Sequence, residues 1–269
     1  SVASRGLGDV YKRQELDKNL HSLPNQPDVI PYMTSYYSDN WGFCVSEKQR
    51  KSLGEGPFKV VIDSYFKVGN MDYGELIIHG DSSKEILLST YICHPSMAND
   101  NLSGVVVTLA LAKWLTQKRN LNYTYRILFI PETIGSIAYM SENLEVLVAN
   151  VIAGWVITCV GDSGDFSLIP SITGKSLSDR ISRSILNDLN CPWKEYSFLE
   201  RGSDERQYCA PGSDLPIASI TRSKYGEYAQ YHTSGDDLDF VDSKSLGQSL
   251  ALYKKIITCL LYTSPSPRD

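Results

Sequence analysis

The stretch that most constrains this chain is residues 86–104, ILLSTYICHPSMANDNLSG. The short run ILLSTYI is rich in aliphatic and β-branched residues and reads as a buried strand. The Pro, Asn, Asp, Ser and Gly that follow read as its exit loop. A helix is expected to begin at Ser103 or Gly104. His94 and Asp100 therefore fall at the carboxyl end of a central strand, where open α/β sheets gather ligands and chemistry.

Both ends of the chain stand apart. Residues 4–14, SRGLGDVYKRQ, resemble the translation of a transposase adapter used in sequencing-library preparation, and residues 259–269, CLLYTSPSPRD, resemble its reverse complement. Residues 1–14 and 259–269 are therefore set aside as adapter-like scars. The biological sequence is expected over 15–258, truncated at both ends.

The whole chain carries 26 basic and 31 acidic residues; the ends hold Arg5, Lys12, Arg13 and Arg268 against Asp9 and Asp269, which leaves 22 basic and 29 acidic, a net charge of −7. A nucleic-acid or anionic-membrane partner would want a basic face. No apolar stretch approaches the ~20 residues of a membrane span. Between the scars the cysteines are Cys44, Cys93, Cys159, Cys191 and Cys209, scattered and without a CxxC pair. That pattern suggests reduced thiols in a cytoplasmic protein.

Taken in order, residues 15–23 suggest a short helix ending before Pro24. The aromatic-rich segment IPYMTSYYSDNWGFCVS is expected either to pack or to wall a cleft. KQRKSLGEG reads as a polar turn, and FKVVIDSYFKV and GELIIHG as strands. GELIIHG and EILLSTYI, joined by DSSK, are expected to pair, and His79 reads as structural. From Gly104, VVVTLALAKWLTQK is apolar almost all round and should be a helix packed deep against the sheet. YTYRILFIP is the next strand and delivers Glu132 at its end. IAYMSENLEVLVAN is a helix, VIAGWVITCVGD a buried strand carrying Cys159 and Asp162, and SLSDRISRSILNDL a helix capped by Ser176 or Ser178. PIASI is a strand, YHTSGDDLDFVD a loop with His232, and SKSLGQSLALYKKIIT a closing amphipathic helix. This alternation of strands and helices implies a mostly parallel or mixed sheet covered on both faces.

His94, Asp100, Glu132, Cys159, Asp162 and His232 thus fall at or beyond successive strand ends. A lone histidine is more often a hydrogen-bonded core or surface residue, and loop aspartates are usually caps. Together, however, they form a donor set of imidazole and carboxylate, which zinc takes in catalytic sites with one position left for water.

The order of HPSMANDNLSG, PETIGS, RGSDERQYCAPGSDLPIA and YHTSGDDLDFVD resembles the co-catalytic zinc aminopeptidase family of clan MH type, which includes glutaminyl cyclases and glutamate carboxypeptidase. More closely, the chain is similar to an aminopeptidase-like branch of unknown function associated with polysaccharide biosynthesis. The phrases IPYMTSYYSDNWGFC and ERGSDERQY extend this resemblance over residues 15–258. It implies an α/β fold of the zinc aminopeptidase, phosphorylase/hydrolase-like kind: a three-layer α/β/α sandwich with a mixed, mostly parallel sheet. Residues 41–66 would be part of a small inserted β domain.

By resemblance, His94 is the first zinc histidine, Asp100 the aspartate bridging two metals, Glu132 the general base and His232 the terminal zinc histidine. Three departures accompany this. Ser96 replaces an aspartate, Thr133 stands where a glutamate ligand belongs, and Thr158, Cys159 or Asp162 stands in for a ligand aspartate. One zinc is therefore expected to bind tightly and a second weakly or not at all, with Asp162 as a ligand or as the acceptor orienting one. Arg201, Asp204, Glu205, Arg222 and Tyr225 are expected to line a substrate cleft. Arg201 and Arg222 would hold a carboxylate or, alternatively, form surface salt bridges. The implied function is zinc-dependent hydrolysis of an amide in a small peptide or aminoacyl substrate. The alternatives are a non-peptidase module acting on or binding amino-sugar intermediates of polysaccharide biosynthesis, and cyclase chemistry on an N-terminal glutamine.

Overall fold

A computed structural model describes residues 7–34, 40–65 and 67–262. They divide into two compact units, the described residues among 1–70 with 232–235, and the described residues among 71–231 with 236–269.

The smaller unit contains β1 (Leu7–Tyr11), α1 (Arg13–Leu16), β2 (Leu20–His21), β3 (Phe43–Cys44), α2 (Glu47–Ser52) and β4 (Phe58–Ile62). β1 pairs antiparallel with β4 and β2 parallel with β3. Leu16, Leu20 and Val60 are its buried centre, with Tyr11, Trp41 and Phe58 packed around them. Residues 7–14, set aside above, thus contribute β1 and the start of α1, while residues 263–269 lie outside the described residues. The helix expected over 15–23 is shorter and earlier, passing through a 3-10 turn at Asp17–Asn19 into β2. The segment read as a polar turn is largely helical. Ser46 Oγ accepts from the Gln49 amide at 3.1 Å and Gln49 Oε1 accepts from the Ser46 amide at 2.9 Å, a capping box that starts α2 without apolar periodicity. Within the aromatic-rich segment, residues 35–39 lie outside the described residues. Trp41 packs between Tyr11 and Phe43, with ring centroids 5.3 and 6.0 Å away.

The larger unit runs β5 (Gly74–Ile78), β6 (Ser82–Tyr91), α3 (Gly104–Thr116), β7 (Tyr123–Ile130), α4 (Ile134–Asn150), β8 (Val151–Val156), β9 (Phe166–Ile169), α5 (Leu177–Asn187), β10 (Trp193–Glu195), α6 (Glu205–Tyr208), β11 (Ile217–Thr221) and α7 (Ser243–Tyr262). Its seven strands form one mixed sheet in the order β10-β9-β11-β8-β6-β7-β5, with β5 antiparallel to β7 and β11 antiparallel to β9. Alternate residues of each central strand enter opposite cores. Ile86, Leu88, Ile127 and Trp155 pack with α3, α5 and α7, whereas Leu87, Leu128 and Val156 pack with Tyr139 and Leu147 of α4 and Tyr208 of α6. The result is the expected α/β/α sandwich.

Three details differ from the sequence reading. β5 and β6 do not pair: β7 lies between them. The connection is pulled under the start of β7, where Asp81 and Ser82 donate to the carbonyls of Leu121 and Asn122. A Cβ at Gly80 would stand 2.3 Å from the Tyr123 carbonyl oxygen, so this close crossing requires glycine. β5 carries exposed side chains and suits an edge, while β6 is buried from Glu85 to Tyr91 and suits the centre. Helix α3 is not buried all round, since Val106 and Leu109 are each 53% exposed. Finally, β9 and β10 extend the sheet with two short strands to which the sequence reading assigns nothing.

Candidate active site

The exit of β6 is built by its own polar residues. After Tyr91 the chain turns through Cys93 and His94, then makes a π-helical turn at Ala98–Ser103 whose backbone breaks helical geometry at Asp100 and Asn101. Asn101 donates through Nδ2 to Thr90 Oγ1 at 2.8 Å and to the Tyr91 carbonyl at 2.9 Å, folding the turn back on the strand end. Asp236 grips it from the other side, accepting from the amides of Asn99 at 2.6 Å and Asp100 at 2.9 Å. Such charge-assisted bonds fix backbone strongly. Burial holds the Asp236 carboxyl above the usual carboxylate range, against the pull of those two amides.

Asp100 is buried and accepts from the Tyr91 hydroxyl, which in turn accepts from Thr158 Oγ1 at 2.6 Å. Burial, then the Asp100 charge, push the Tyr91 phenol well above its ordinary value, so Tyr91 stays a donor. The His94 ring lies against Tyr91, with centroids 5.1 Å apart. One His94 nitrogen and one Asp100 carboxylate oxygen are within 4.8 Å of each other.

The exit of β7 brings the second group. Glu132 accepts from Ser203 Oγ at 2.8 Å. Burial, followed by the neighbouring Asp204 charge, pushes its carboxyl up to about 8. Asp204, fully buried, accepts from the Thr133 amide at 2.7 Å and Ser136 Oγ at 2.8 Å, so it caps α4 from a distant loop while its second oxygen has no hydrogen-bond partner. Thr133 sits at φ 61°, a conformation costly for a β-branched residue, and the cap holds it there. Burial pushes the Asp204 carboxyl up to about 7. Glu205 is also fully buried. One of its oxygens accepts from the amides of Gly202 and Ser203 and from the Tyr225 hydroxyl, at 3.0, 3.1 and 2.5 Å; the other has no partner.

These two exits meet. Cys93 Sγ, a His94 ring nitrogen and a Glu132 carboxylate oxygen all lie within 4.8 Å of one another. Sulfur, imidazole and carboxylate are donors that zinc takes, so the residues present fit a zinc ion.

The remaining sequence candidates are placed as follows. Asp162 is buried and accepts from Asn99 Nδ2 at 2.9 Å, the Gly164 amide at 2.8 Å and Ser223 Oγ at 2.6 Å. Through Asn99 it touches the residue preceding Asp100. Cys159 is buried at φ 49°, and its sulfur is 3.6 Å from the Tyr228 hydroxyl. Arg222 turns inward, stacking at 4.1 Å on Phe166 and donating to the Gly164 carbonyl and to Gln248. Arg201 stacks at 4.5 Å on Phe198 and, with Arg206, lines a cavity of about 310 Å³ floored by Phe198, Ile172 and Pro211. His232 belongs to the smaller unit, at φ 51°, where its carbonyl accepts from the Tyr32 amide at 2.7 Å and its ring meets Tyr32 edge-on.

Sequence reasoning missed Tyr91, Cys93, Ser203 and Asp236. Cys93 alone had a local signal, its position beside His94. Tyr91 lies close by but was read only as part of the apolar strand, and Ser203 and Asp236 act from elements remote in sequence.

Comparison with known proteins places this architecture. A Clostridium acetobutylicum protein named for polysaccharide biosynthesis and an aminopeptidase-like domain is 43% identical over 251 residues, 92% of this chain and 57% of that protein. A crystal structure of a candidate peptidase from the same organism superposes with a TM-score of 0.91 at 38% identity, over 98% of this chain and 64% of that one. The zinc aminopeptidase of Bacillus subtilis shares the fold, with a TM-score of 0.60 at 16% identity over 72% of this chain and 50% of that one. This chain therefore spans a little over half the length of its curated relative. A family model for a domain of unknown function, DUF4910, matches residues 13–262, and the chain belongs to that family.

Proposed function

We propose that this chain carries a zinc-dependent amide hydrolase site of the aminopeptidase type. The observation that supports it best is the half-buried Glu132, oriented by Ser203 and raised to about 8, beside the donors of Cys93 and His94. A carboxylate so placed is suited to proton transfer near neutral pH. A bound zinc ion supplies Lewis acidity, polarising the amide carbonyl and acidifying water.

The remaining roles belong to the protein. Glu132 takes the proton from the attacking water and delivers it to the leaving amine. Ser203 holds the carboxylate in one orientation for both transfers. His94, Asp100 and His232 are the proposed holders of the ion, the last on the strength of its motif, YHTS. Asp162 is proposed as the acceptor that orients the Asn99–Asp100 turn. The acids Asp204 and Glu205, expected to line the cleft, are fully buried and act instead through their charges on Glu132, while the cavity beside Arg201 suits an anionic part of a peptide or aminoacyl substrate.

The test is hydrolysis of an aminoacyl chromogenic panel, with chelator and with restored zinc, alongside metal analysis. We expect chelator-sensitive release of the leaving group and about one zinc per chain after dialysis. His232→Ala should lower metal content before it affects folding. Tight zinc without turnover on any substrate would point instead to a metal-binding module for amino-sugar compounds.

A further inference from the structure

We infer that Cys93 is a thiolate ligand of the bound metal, beside His94; the inference rests on the zinc reading above. The cysteine is exposed, in the exit loop of β6. Its sulfur lies 3.2 Å from His94 Nδ1 and accepts the Glu132 amide, also at 3.2 Å. In a tetrahedral zinc site, bonds of about 2.3 Å to sulfur and 2.0–2.1 Å to nitrogen put the two donors about 3.5 Å apart. The Cys93–His94 pair already stands near that separation, and the Glu132 carboxylate lies within 4.8 Å of both.

Three further facts agree. The Glu132 peptide N–H at the sulfur favours a thiolate, against burial and the Glu132 charge, which push the metal-free thiol up to about 11. The side chain is accessible from solvent, so an ion can reach it without opening the core. Two donors from adjacent residues on one loop lose little extra chain freedom when both bind. As the sulfur–metal bond forms, the thiol proton passes to solvent and the sulfur keeps its electron pair, so no oxidant or reductant is needed. Cys93 would then hold the ion with His94 in place of one of the other holders proposed above, so that a position stays open for water, and Glu132 keeps its proton-transfer role.

A soft sulfur donor makes the site selective. Zinc and cobalt should depend on Cys93, while manganese and magnesium, which favour oxygen, should not. This separates the arrangement from an all-oxygen-and-imidazole site.

Cobalt(II) substitution of the full chain tests it. The unmutated protein should show a near-ultraviolet sulfur-to-cobalt charge-transfer band, and Cys93→Ser should lose that band while still binding cobalt by metal analysis. Zinc affinity should fall about tenfold or more in Cys93→Ser, with manganese affinity unchanged. Zinc should also shield Cys93 from iodoacetamide while exposed Cys191 goes on reacting. Cobalt bound with no such band, or a band that survives in Cys93→Ser, overturns the inference. If chelator-sensitive hydrolysis persists in either case, the zinc reading survives alone. Failure to bind cobalt or zinc at all overturns both.

Discussion

Strand β7 carries two acid-rich neighbourhoods that solve the same electrostatic problem in opposite ways. Midway along it, Arg126 donates to both oxygens of Glu85 at 2.6 and 2.8 Å, to the Tyr139 hydroxyl at 2.8 Å and to Glu75 at 2.5 Å. Just past its end, Glu132, Asp204 and Glu205 lie together, and burial first, then their like charges, raises the carboxyls of Glu132 and Asp204 to about 8 and about 7. The first cluster gives both of its acids a shared cation and ties three strands together. The second leaves one oxygen each of Asp204 and Glu205 unpartnered in the interior. Buried acids without a cation cost stability, and such perturbed groups concentrate at functional sites. The contrast separates acids paired with a cation from acids left without one, the second group being the one proposed for chemistry.

The sharpest way to break this comparison is to neutralise the acid at the strand end. Glu132→Gln should lower turnover by about two to four orders of magnitude, the usual range for loss of a general base, with fold and metal content retained. Steady-state kinetics with metal analysis decides it, and loss of the metal would move Glu132 into the ligand set. The architectural cluster should respond in stability. Arg126→Met leaves Glu85 buried and unpaired and should cost about 3–5 kcal/mol in urea unfolding. Adding Glu85→Gln should recover much of that, whereas no loss in the single variant would show the pair to be dispensable.

Asp204 sharpens the contrast, because it is both a cap and an uncompensated acid. Asp204→Ala removes the acceptor for the Thr133 amide and Ser136 and should cost about 1–3 kcal/mol. Asp204→Asn keeps an acceptor, removes the buried charge and should stay within about 1 kcal/mol of the unmutated protein. Equal losses in the two would mean that the charge itself stabilises α4. The smallest effect is expected at Ser203. Ser203→Ala deletes one bond to Glu132, worth about 0.5–1.5 kcal/mol, so turnover should fall roughly three- to tenfold with little change in melting temperature. A larger loss would give Ser203 a direct part in catalysis.

Much of the larger unit was legible from residue pattern alone. The runs that became β6, β7, β8 and β11 are buried strands whose apolar residues serve two cores at once, and α5 announced its own start with the Ser176–Asp179 capping box. Local signals of this kind survive because the physics behind them is local. Strand order was not legible. The pairing of β5 with β7 depends on a crossing at Gly80 that no periodicity encodes, and β9 and β10 are too short to signal themselves. Helix α3 misled because Val106 and Leu109 look like core in sequence and face outward in space.

The same division runs through the candidate site. By itself the sequence determined the residue types and their positions at strand exits: His94, Asp100 and Glu132 follow apolar runs and so had to emerge where those strands end. Only the tertiary structure decided their partners. Asp236 reaches the Asn99 and Asp100 amides across more than 130 residues, Ser203 reaches Glu132 across 71, and Asp204 caps a helix that begins 70 residues before it. A hydrogen bond is set by atoms a few ångströms apart, and linear order carries no record of which loops a sheet will bring that close.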